Sequence, residues 1–159
     1  MIFFHVSGQK SDSLHFQNYS NAISLSKSSG KPILLFFYFD GCGACINMEN
    51  KVFTDSTIVN YVGKNFICSK INAKKGEGIE INMIYKAQSF PTTIICDTNG
   101  VIIGKNIGLL SVDEFLRFCN RSINRNTSLA GMREMYKQGN RSADFLYDYC
   151  YLLYGGNEI

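Results

Sequence analysis

The chain has 159 residues, of which 45% are hydrophobic and 18% are charged. This length suits one domain with its own core plus a short appendage, and the composition argues against general disorder. A formal net charge of +3 is too small to indicate nucleic-acid binding. No apolar run reaches the roughly 18 residues that a membrane span needs.

The first thirteen residues precede the predicted domain. Residues 2–6 are apolar but too short for a signal-peptide core, whereas Val6, Ser7 and Gly8 are small residues of the kind a leader peptidase reads. Two interpretations stay open. Residues 1–13 are either the remnant of a leader, which points to the periplasm or cell envelope, or an ordinary N-terminal arm, which leaves the cytoplasm as the alternative.

The next elements lead to the first motif. A short edge strand at 11–16 precedes a helix that Asn18 or Ser20 caps and that ends near Gly30. The run 32–39 is continuously apolar and rich in aromatic residues, which is typical of a strand buried on both faces of a sheet.

Two cysteines follow this strand with two small residues between them. Gly41 ends the strand, and apolar residues then recur at helical spacing, which predicts a helix that begins at Cys42 and includes Cys45. The positive end of a helix stabilises a thiolate, and a Cys-X-X-Cys motif there lowers the pKa of the first cysteine from ~8.5. We therefore predict that Cys42 attacks a target disulfide and that Cys45 resolves the mixed disulfide.

A Cys-X-X-Cys pair can also be half of a zinc site, which needs a second pair of ligands. The two histidines are His5 and His15, and their separation is not the short spacing that a pair of zinc ligands uses. The remaining cysteines are single and widely spaced: Cys68, Cys96, Cys119 and Cys150. We predict no metal and no cofactor, and we expect Cys68 and Cys96 to be buried thiols because they fall in apolar, strand-like runs.

The second half of the chain continues the alternation. Asp55 caps a helix over 56–62, which we count together with the cysteine helix as one kinked unit. A strand at 66–71, a turn at 74–78, a helix over 79–85 and a strand at 93–96 follow in that order. Asn99 and Gly100 predict a hairpin with a returning strand at 101–103. Ser111 caps a helix that ends near Ser122. The predicted order is β-α-β-α-β-α-β-β-α.

These features together resemble the thioredoxin superfamily over residues 14–122. The resemblance rests on a buried strand leading into a Cys-X-X-Cys helix, a strand ending with a lysine, the tripeptide Phe90-Pro91-Thr92 and an Asn-Gly hairpin before a final helix. Segments 30–33 and 52–55 resemble exported bacterial thioredoxin-like proteins. The resemblance implies an α/β thioredoxin-like fold, in which helices flank a central mixed sheet.

The resemblance also implies roles for single residues. Pro91 matches the cis-proline that faces the redox pair, and Phe90, Pro91 and Thr92 would line the groove for an extended substrate segment. Lys70 matches a lysine near the redox pair that tunes its pKa. Phe36 stands where the family carries a buried carboxylate that accepts the proton of the resolving thiol, which implies slower deprotonation of Cys45.

Residues 123–159 extend beyond this domain. Apolar spacing predicts one helix from Leu129 to Tyr136 and a second over 144–154, with Gly139 between them. This helical hairpin resembles the first unit of a helical repeat, and a plain helical extension is the alternative. We expect it to dock on the final helix of the domain around Phe115 and Phe118, or to bind a protein partner or a second copy.

The predicted function is a thiol–disulfide oxidoreductase that exchanges disulfides with protein thiols and disulfides through Cys42 and Cys45. This function requires an upstream redox partner, and we predict no nucleic-acid partner. The alternative is a weakly redox-active or non-redox binding module that presents its helical tail to a partner, which the aromatic residue at position 36 favours.

Overall fold

The structure is a computed structural model that describes residues 13–124, 129–143, 145–146, 149–150 and 153. A five-stranded mixed sheet lies at its centre, in the order β1-β3-β2-β4-β5. The elements are β1 (Phe16–Gln17), α1 (Tyr19–Ser29), β2 (Ile33–Tyr38), α2 (Gly43–Lys51), α3 (Ser56–Asn65), β3 (Ile67–Asn72), α4 (Gly78–Tyr85), β4 (Thr92–Cys96), β5 (Ile102–Ile107), α5 (Val112–Ile123) and α6 (Leu129–Lys137). Helices flanking a central mixed sheet confirm the predicted fold class.

Strand β2 is the centre of the sheet. It pairs in parallel with β3 and antiparallel with β4, so both of its edges are hydrogen bonded. Its first five residues are buried. The continuously apolar run in the sequence is therefore explained by burial on both faces, as predicted.

Two hydrophobic cores lie on opposite faces of this sheet. One contains Leu34 and Phe36 of β2 with residues of α2, α3 and α5, and it includes both Cys42 and Cys45. The other contains Ile33, Leu35 and Phe37 of β2 with residues of α1 and α4. Successive side chains of a strand point to opposite faces, so β2 alone supplies the inner layer of both cores.

The region after the cysteines differs from the predicted single kinked unit. It forms two helices, α2 and α3, separated by residues 52–55. Asp55 is the N-cap of α3, and its Oδ1 accepts hydrogen bonds from the backbone N–H groups of Thr57 at 2.8 Å and Ile58 at 3.2 Å. A cap of this strength starts a new helix with its own axis.

The strand ends also differ from prediction. Among the described residues β1 spans Phe16–Gln17, whereas the part of the predicted strand at 13–15 is not a strand, and β5 runs from Ile102 to Ile107, well past the predicted end at residue 103. The hairpin at Asn99 and Gly100 is present, and Asp97 closes it by accepting bonds from the N–H groups of Asn99 and Val101, both at 2.9 Å. Residues 1–12, the predicted arm or leader remnant, lie outside the described residues.

Helix α5 lies very close to β5. A Cβ on Gly104 would meet the Ser122 Oγ at 2.1 Å, so only glycine fits at this crossing. The close approach buries Phe115 and Cys119 completely against the sheet. It explains a glycine in the middle of a strand, where the residue otherwise weakens pairing.

Helix α6 confirms that a helix follows the domain. Leu129 and Met132 are buried, and α6 contacts β5. Docking on the final helix around Phe115 and Phe118 stays a prediction. The second tail helix, predicted over 144–154, lies partly outside the described residues. Within the described part, Phe145 is buried and the ring of Tyr149 lies 5.5 Å from that of Tyr136. None of the described helices is both long and apolar enough to cross a membrane.

Candidate functional site

The candidate site lies where β2 ends and α2 begins. Gly41 has φ +85°, a left-handed conformation that favours glycine, and this turn leads the chain into α2. Cys42 is the N-cap of α2, and its Sγ accepts a hydrogen bond from the backbone N–H of Cys45 at 3.2 Å. The two cysteines form a disulfide, with their Cα atoms 5.3 Å apart. The Cys42 sulfur therefore lies at the positive end of α2, where a thiolate is stabilised.

The two sulfurs differ in access. In the folded protein 6% of the Cys42 surface is exposed to solvent, compared with 1% of the Cys45 surface. An incoming sulfur therefore reaches Cys42 first, with Cys45 shielded one helical turn further in. This order of access matches the roles of nucleophile and resolving thiol that the sequence predicts for the pair.

The loop before β4 lies beside the turn that leads into the cysteine pair, because the Phe90 ring contacts Phe39. The Phe90–Pro91 peptide bond is cis, and the Pro91 carbonyl accepts a hydrogen bond from the Gly108 N–H at 2.7 Å. The Thr92 side chain is fully buried, and its hydroxyl donates to the Ser89 carbonyl at 2.6 Å. Thr92 therefore supports the loop from behind, whereas the half-buried Phe90 is the member of the predicted trio whose side chain reaches the surface.

A rim of aromatic and charged residues borders this loop. The ring of Phe39 lies edge-to-face against that of Phe90, with centroids 5.4 Å apart, and the Lys74 ammonium lies 4.0 Å from the Phe39 centroid. Asp40 forms an ion pair with Lys75 and accepts a hydrogen bond from the Asn72 amide at 2.9 Å. These contacts hold the turn between β3 and α4 against the turn that precedes Cys42.

Sequence reasoning did not assign Phe39, Lys74 or Lys75 to the site. The hydrogen bond from Lys75 is the main cause that holds the pKa of Asp40 below its ordinary value, so this carboxylate is ionised and engaged. The signal available in the sequence was an aromatic residue followed by Asp-Gly just before the motif. The lysines lie far from it along the chain, and only the sheet brings them together.

Lys70 is close to the site but is paired. Its ammonium lies 2.5 Å from Glu49 Oε2 and 4.2 Å from the centroid of the Tyr38 ring. Glu49 lies on α2, one turn beyond Cys45. The Lys70 ammonium thus faces a carboxylate on α2, the helix that carries Cys45, and this pairing reduces the electric field that Lys70 exerts on the two sulfurs.

The floor of the site consists of an apolar residue flanked by polar ones. Phe36 is fully buried and lies edge-to-face against Phe53, with centroids 4.8 Å apart. Its neighbours on the adjacent strands are Lys70 of β3 and Thr93 of β4. The side chain at this position is therefore a buried hydrocarbon, where the thioredoxin resemblance implies a carboxylate. Among the described residues, the Thr93 hydroxyl has no hydrogen-bond partner.

The remaining cysteines lie apart from this chemistry. Cys68, Cys96 and Cys119 are buried free thiols, which confirms the expectation for the first two, and Cys150 is exposed. Burial raises the pKa of Cys68 to about 12 and that of Cys96 to about 11, and it raises the pKa of Cys119 as well. These thiols stay protonated near neutral pH. Within the described ranges, no cluster of three or more metal-ligating side chains is present.

The fold and the disulfide at a helix start define a protein of the thioredoxin-like class. A family model described as thioredoxin-like domain matches residues 19–122. The chain therefore belongs to the thioredoxin-like domain family.

Two curated bacterial relatives are similar to this chain. The disulfide bond reductase DsbH of Chlamydia pneumoniae is 26% identical over 97 residues, which are 55% of this chain and 58% of that protein. The thiol:disulfide interchange protein DsbD of Salmonella typhi is 26% identical over 78 residues, which are 48% of this chain and 14% of that protein. The chain thus matches only part of the length of either relative.

Solved structures share the fold. A DsbH oxidoreductase aligns with a TM-score of 0.63 at 20% identity, covering 77% of this chain and 93% of that one. A putative disulphide-isomerase from Bacteroides thetaiotaomicron aligns with a TM-score of 0.63 at 23% identity, covering 71% and 95%. At this level of identity the likeness establishes the architecture alone.

Proposed function

We propose that the chain is a thiol–disulfide oxidoreductase that exchanges disulfides with protein substrates through Cys42 and Cys45. The observation that carries the proposal is the disulfide at the N-terminus of α2, with Cys42 as N-cap and Cys45 beneath it. The relatives that match part of the chain are named for disulfide reduction and interchange, which supports the same class of reaction.

The reaction begins with the reduced pair. The Cys42 thiolate, stabilised by the Cys45 N–H and the positive end of α2, attacks one sulfur of a substrate disulfide. That disulfide breaks, a bond forms between Cys42 and the substrate, and the leaving sulfur departs as a thiolate that takes a proton from water. The chain is then joined to its substrate by a mixed disulfide.

Cys45 completes the exchange. Its thiol loses a proton, and the thiolate attacks the Cys42 sulfur, which expels the second substrate sulfur as a thiolate. The net result is that two electrons pass to the substrate and the Cys42–Cys45 disulfide forms. A dithiol protein upstream must return two electrons to this disulfide before the next cycle.

The substrate groove would lie between the Pro91 loop and the turn before Cys42. Phe90 and Phe39 supply an apolar border, and Lys74 adds a positive charge at its outer edge. We propose that an extended peptide carrying the substrate disulfide binds along Phe90 and Pro91, because the half-buried Phe90 ring lies against Phe39 just before Cys42.

An insulin-reduction assay with a dithiol donor tests the proposal. The wild-type chain should reduce insulin, Cys42→Ser should be inactive, and Cys45→Ser should trap a mixed disulfide that non-reducing electrophoresis detects. Cys119→Ser is the matched control, because this buried thiol carries no role in the exchange. Equal turnover of wild type and Cys42→Ser would refute the proposal.

Phe36 favours one alternative function. Without a carboxylate under the pair, the resolving step lacks the general base that is worth on the order of a hundredfold in rate. A binding module that uses residues 123–159 for a partner or a second copy would tolerate that loss. Absence of wild-type turnover, together with a stable disulfide that no dithiol protein reduces, would support this alternative.

We further propose that the protein works in the periplasm or cell envelope. The support is the resemblance of segments 30–33 and 52–55 to exported thioredoxin-like proteins, together with the small residues at 6–8. Cell fractionation followed by immunodetection tests this, with a cytoplasmic and a periplasmic marker run in parallel. Recovery with the cytoplasmic marker alone would contradict it.

A further inference from the structure

Thr93 carries a buried hydroxyl with no partner in the oxidised protein. The residue is fully buried, and its Oγ1 makes no hydrogen bond to any residue that the structure describes. Leaving a buried hydroxyl unpaired costs free energy of folding, since the group gives up its hydrogen bonds to water. A hydrogen bond that this hydroxyl forms in another state of the protein explains why the chain keeps an unpaired group here.

The position of Thr93 relates it to the redox pair. It lies on β4, two residues after Pro91, and it is directly opposite Phe36 in the antiparallel pairing of β2 with β4. Residues directly opposite each other in such a pair point to the same face of the sheet. Phe36 belongs to the same core cluster as Cys42 and Cys45, so Thr93 belongs to the layer of side chains on the face of the sheet that carries this cluster.

Reduction creates a new acceptor above this layer. In the oxidised protein the Cys45 sulfur is bonded to Cys42 and carries no charge. When two electrons break that bond, Cys45 becomes a thiol or thiolate, and a thiolate in a water-poor site favours any hydrogen-bond donor nearby. Phe36 can supply no donor, because its side chain is a hydrocarbon.

We propose that the Thr93 hydroxyl donates a hydrogen bond to the Cys45 sulfur in the reduced protein and stabilises the thiolate that resolves the mixed disulfide. The proposal rests on the proposed function, and it names how a chain with an aromatic residue at position 36 still supports the resolving step. The hydroxyl takes up no proton. It lowers the free energy of the charged sulfur, so that water accepts the proton of the Cys45 thiol more readily.

Several described polar groups near Thr93 already have partners or stay neutral. Glu49 of α2 and Lys70 of β3 form an ion pair with each other. Asn106, opposite Thr93 on β5, donates from its amide to the Gly108 carbonyl at 3.1 Å. Cys68 of β3 and Cys119 of α5 remain neutral thiols, because burial raises the pKa of both. Thr93 contributes to this layer a buried hydroxyl that has no hydrogen-bond partner among the described residues.

Two substitutions in the full chain test the proposal. Thr93→Val keeps the shape of the side chain and removes the hydroxyl, and Thr93→Ser keeps the hydroxyl as the matched control. Two quantities are measured: the pKa of Cys45 in the chemically reduced protein, by NMR of labelled cysteine, and the equilibrium constant with glutathione. Loss of a hydrogen bond to a charged group should raise the Cys45 pKa by about one unit and, at a pH above that pKa, disfavour the reduced form roughly tenfold.

The outcomes are distinct. The Ser variant should stay close to wild type in both quantities, whereas a Val variant with an unchanged Cys45 pKa and equilibrium constant overturns the proposal. A Val variant whose oxidised form no longer folds also overturns it, because the hydroxyl would then have a partner in the oxidised state. If wild type fails to equilibrate with glutathione, the proposed function fails, while the Cys45 pKa still decides the role of Thr93.

Discussion

Replacing Phe36 tests how far this site depends on having no carboxylate. The ring is fully buried, lies edge-to-face against Phe53 at 4.8 Å and stacks with Tyr38 at 6.4 Å. Phe36→Asp introduces the acid that the resemblance to the thioredoxin superfamily implies for this position, and Phe36→Leu is the matched apolar control. If the pocket is built for an aromatic ring, the acid should cost stability without accelerating exchange.

The magnitude follows from burial. Truncating a buried phenylalanine typically costs about 3–5 kcal/mol, and a buried carboxyl without partners adds about 1–3 kcal/mol. We therefore expect Phe36→Asp to lower the free energy of unfolding by at least about 4 kcal/mol, against about 1 kcal/mol for Phe36→Leu. A domain with a total of about 5–15 kcal/mol would be left marginal by the first change.

The penalty should depend on pH in a fixed direction. Burial disfavours the charged form, so the pKa of the new carboxyl in the folded state rises above its unfolded value of about 3.9. The charge penalty is then absent below the unfolded pKa and grows as the pH rises towards the folded pKa. The gap in stability between the Asp and Leu variants should therefore shrink on going from about pH 7 to about pH 4.

Urea denaturation of the oxidised proteins at both pH values measures these differences, and insulin reduction measures exchange. A Phe36→Asp variant that is as stable as Phe36→Leu at neutral pH and exchanges faster than wild type would refute the reasoning. Such a result would mean that the pocket holds polar partners for a carboxylate beneath the pair.

Three further predictions follow from the site and the tail. In the reduced protein, limiting iodoacetamide should label Cys42 first and leave Cys68 unmodified, since burial holds the Cys68 pKa at about 12; faster labelling of Cys68 by mass spectrometry would overturn the assignment. Because Lys70 is paired with Glu49, we expect a redox potential of roughly −200 to −270 mV in glutathione buffers, and a value near −120 mV would indicate a charge acting on the thiolate. Deleting residues 123–159 should lower the melting temperature by roughly 5 °C or more while leaving Cys42 reactive, because buried Leu129 and Met132 contribute to the fold; an unchanged melting temperature would contradict docking of α6.

Much of the fold could be predicted because its signals are local. The buried strand, the helix start at Cys42 and the cap at Asp55 each depend on neighbouring residues alone. The capping box at Ser111, in which the side chain of Glu114 reaches back to the Ser111 N–H at 2.8 Å, is likewise local. Periodicity and capping rules identify such elements reliably because their hydrogen bonds close within a few residues.

The rest could not be predicted because it depends on the approach of distant segments. The ion pair of Asp40 with Lys75 and the position of Lys74 over Phe39 form only once β2 and β3 are paired. The contact of α6 with β5 was not predicted, since an amphipathic face does not indicate its partner. The missing partner of Thr93 is also visible only in three dimensions, as strand alternation predicts which face a residue takes but not what it meets.

The two cores separated by the sheet have a consequence for how the molecule tolerates change. Every residue of the redox pair and its floor belongs to one side, whereas the side built from α1 and α4 is closed by a hydrogen bond between the hydroxyls of Tyr19 and Tyr85, 3.1 Å apart. We expect substitutions that conserve volume on that second side to leave the Cys42–Cys45 pair unaffected. The sheet thus divides the protein into a half that carries the disulfide and a half in which new sequence, new stability or a new binding surface can be introduced.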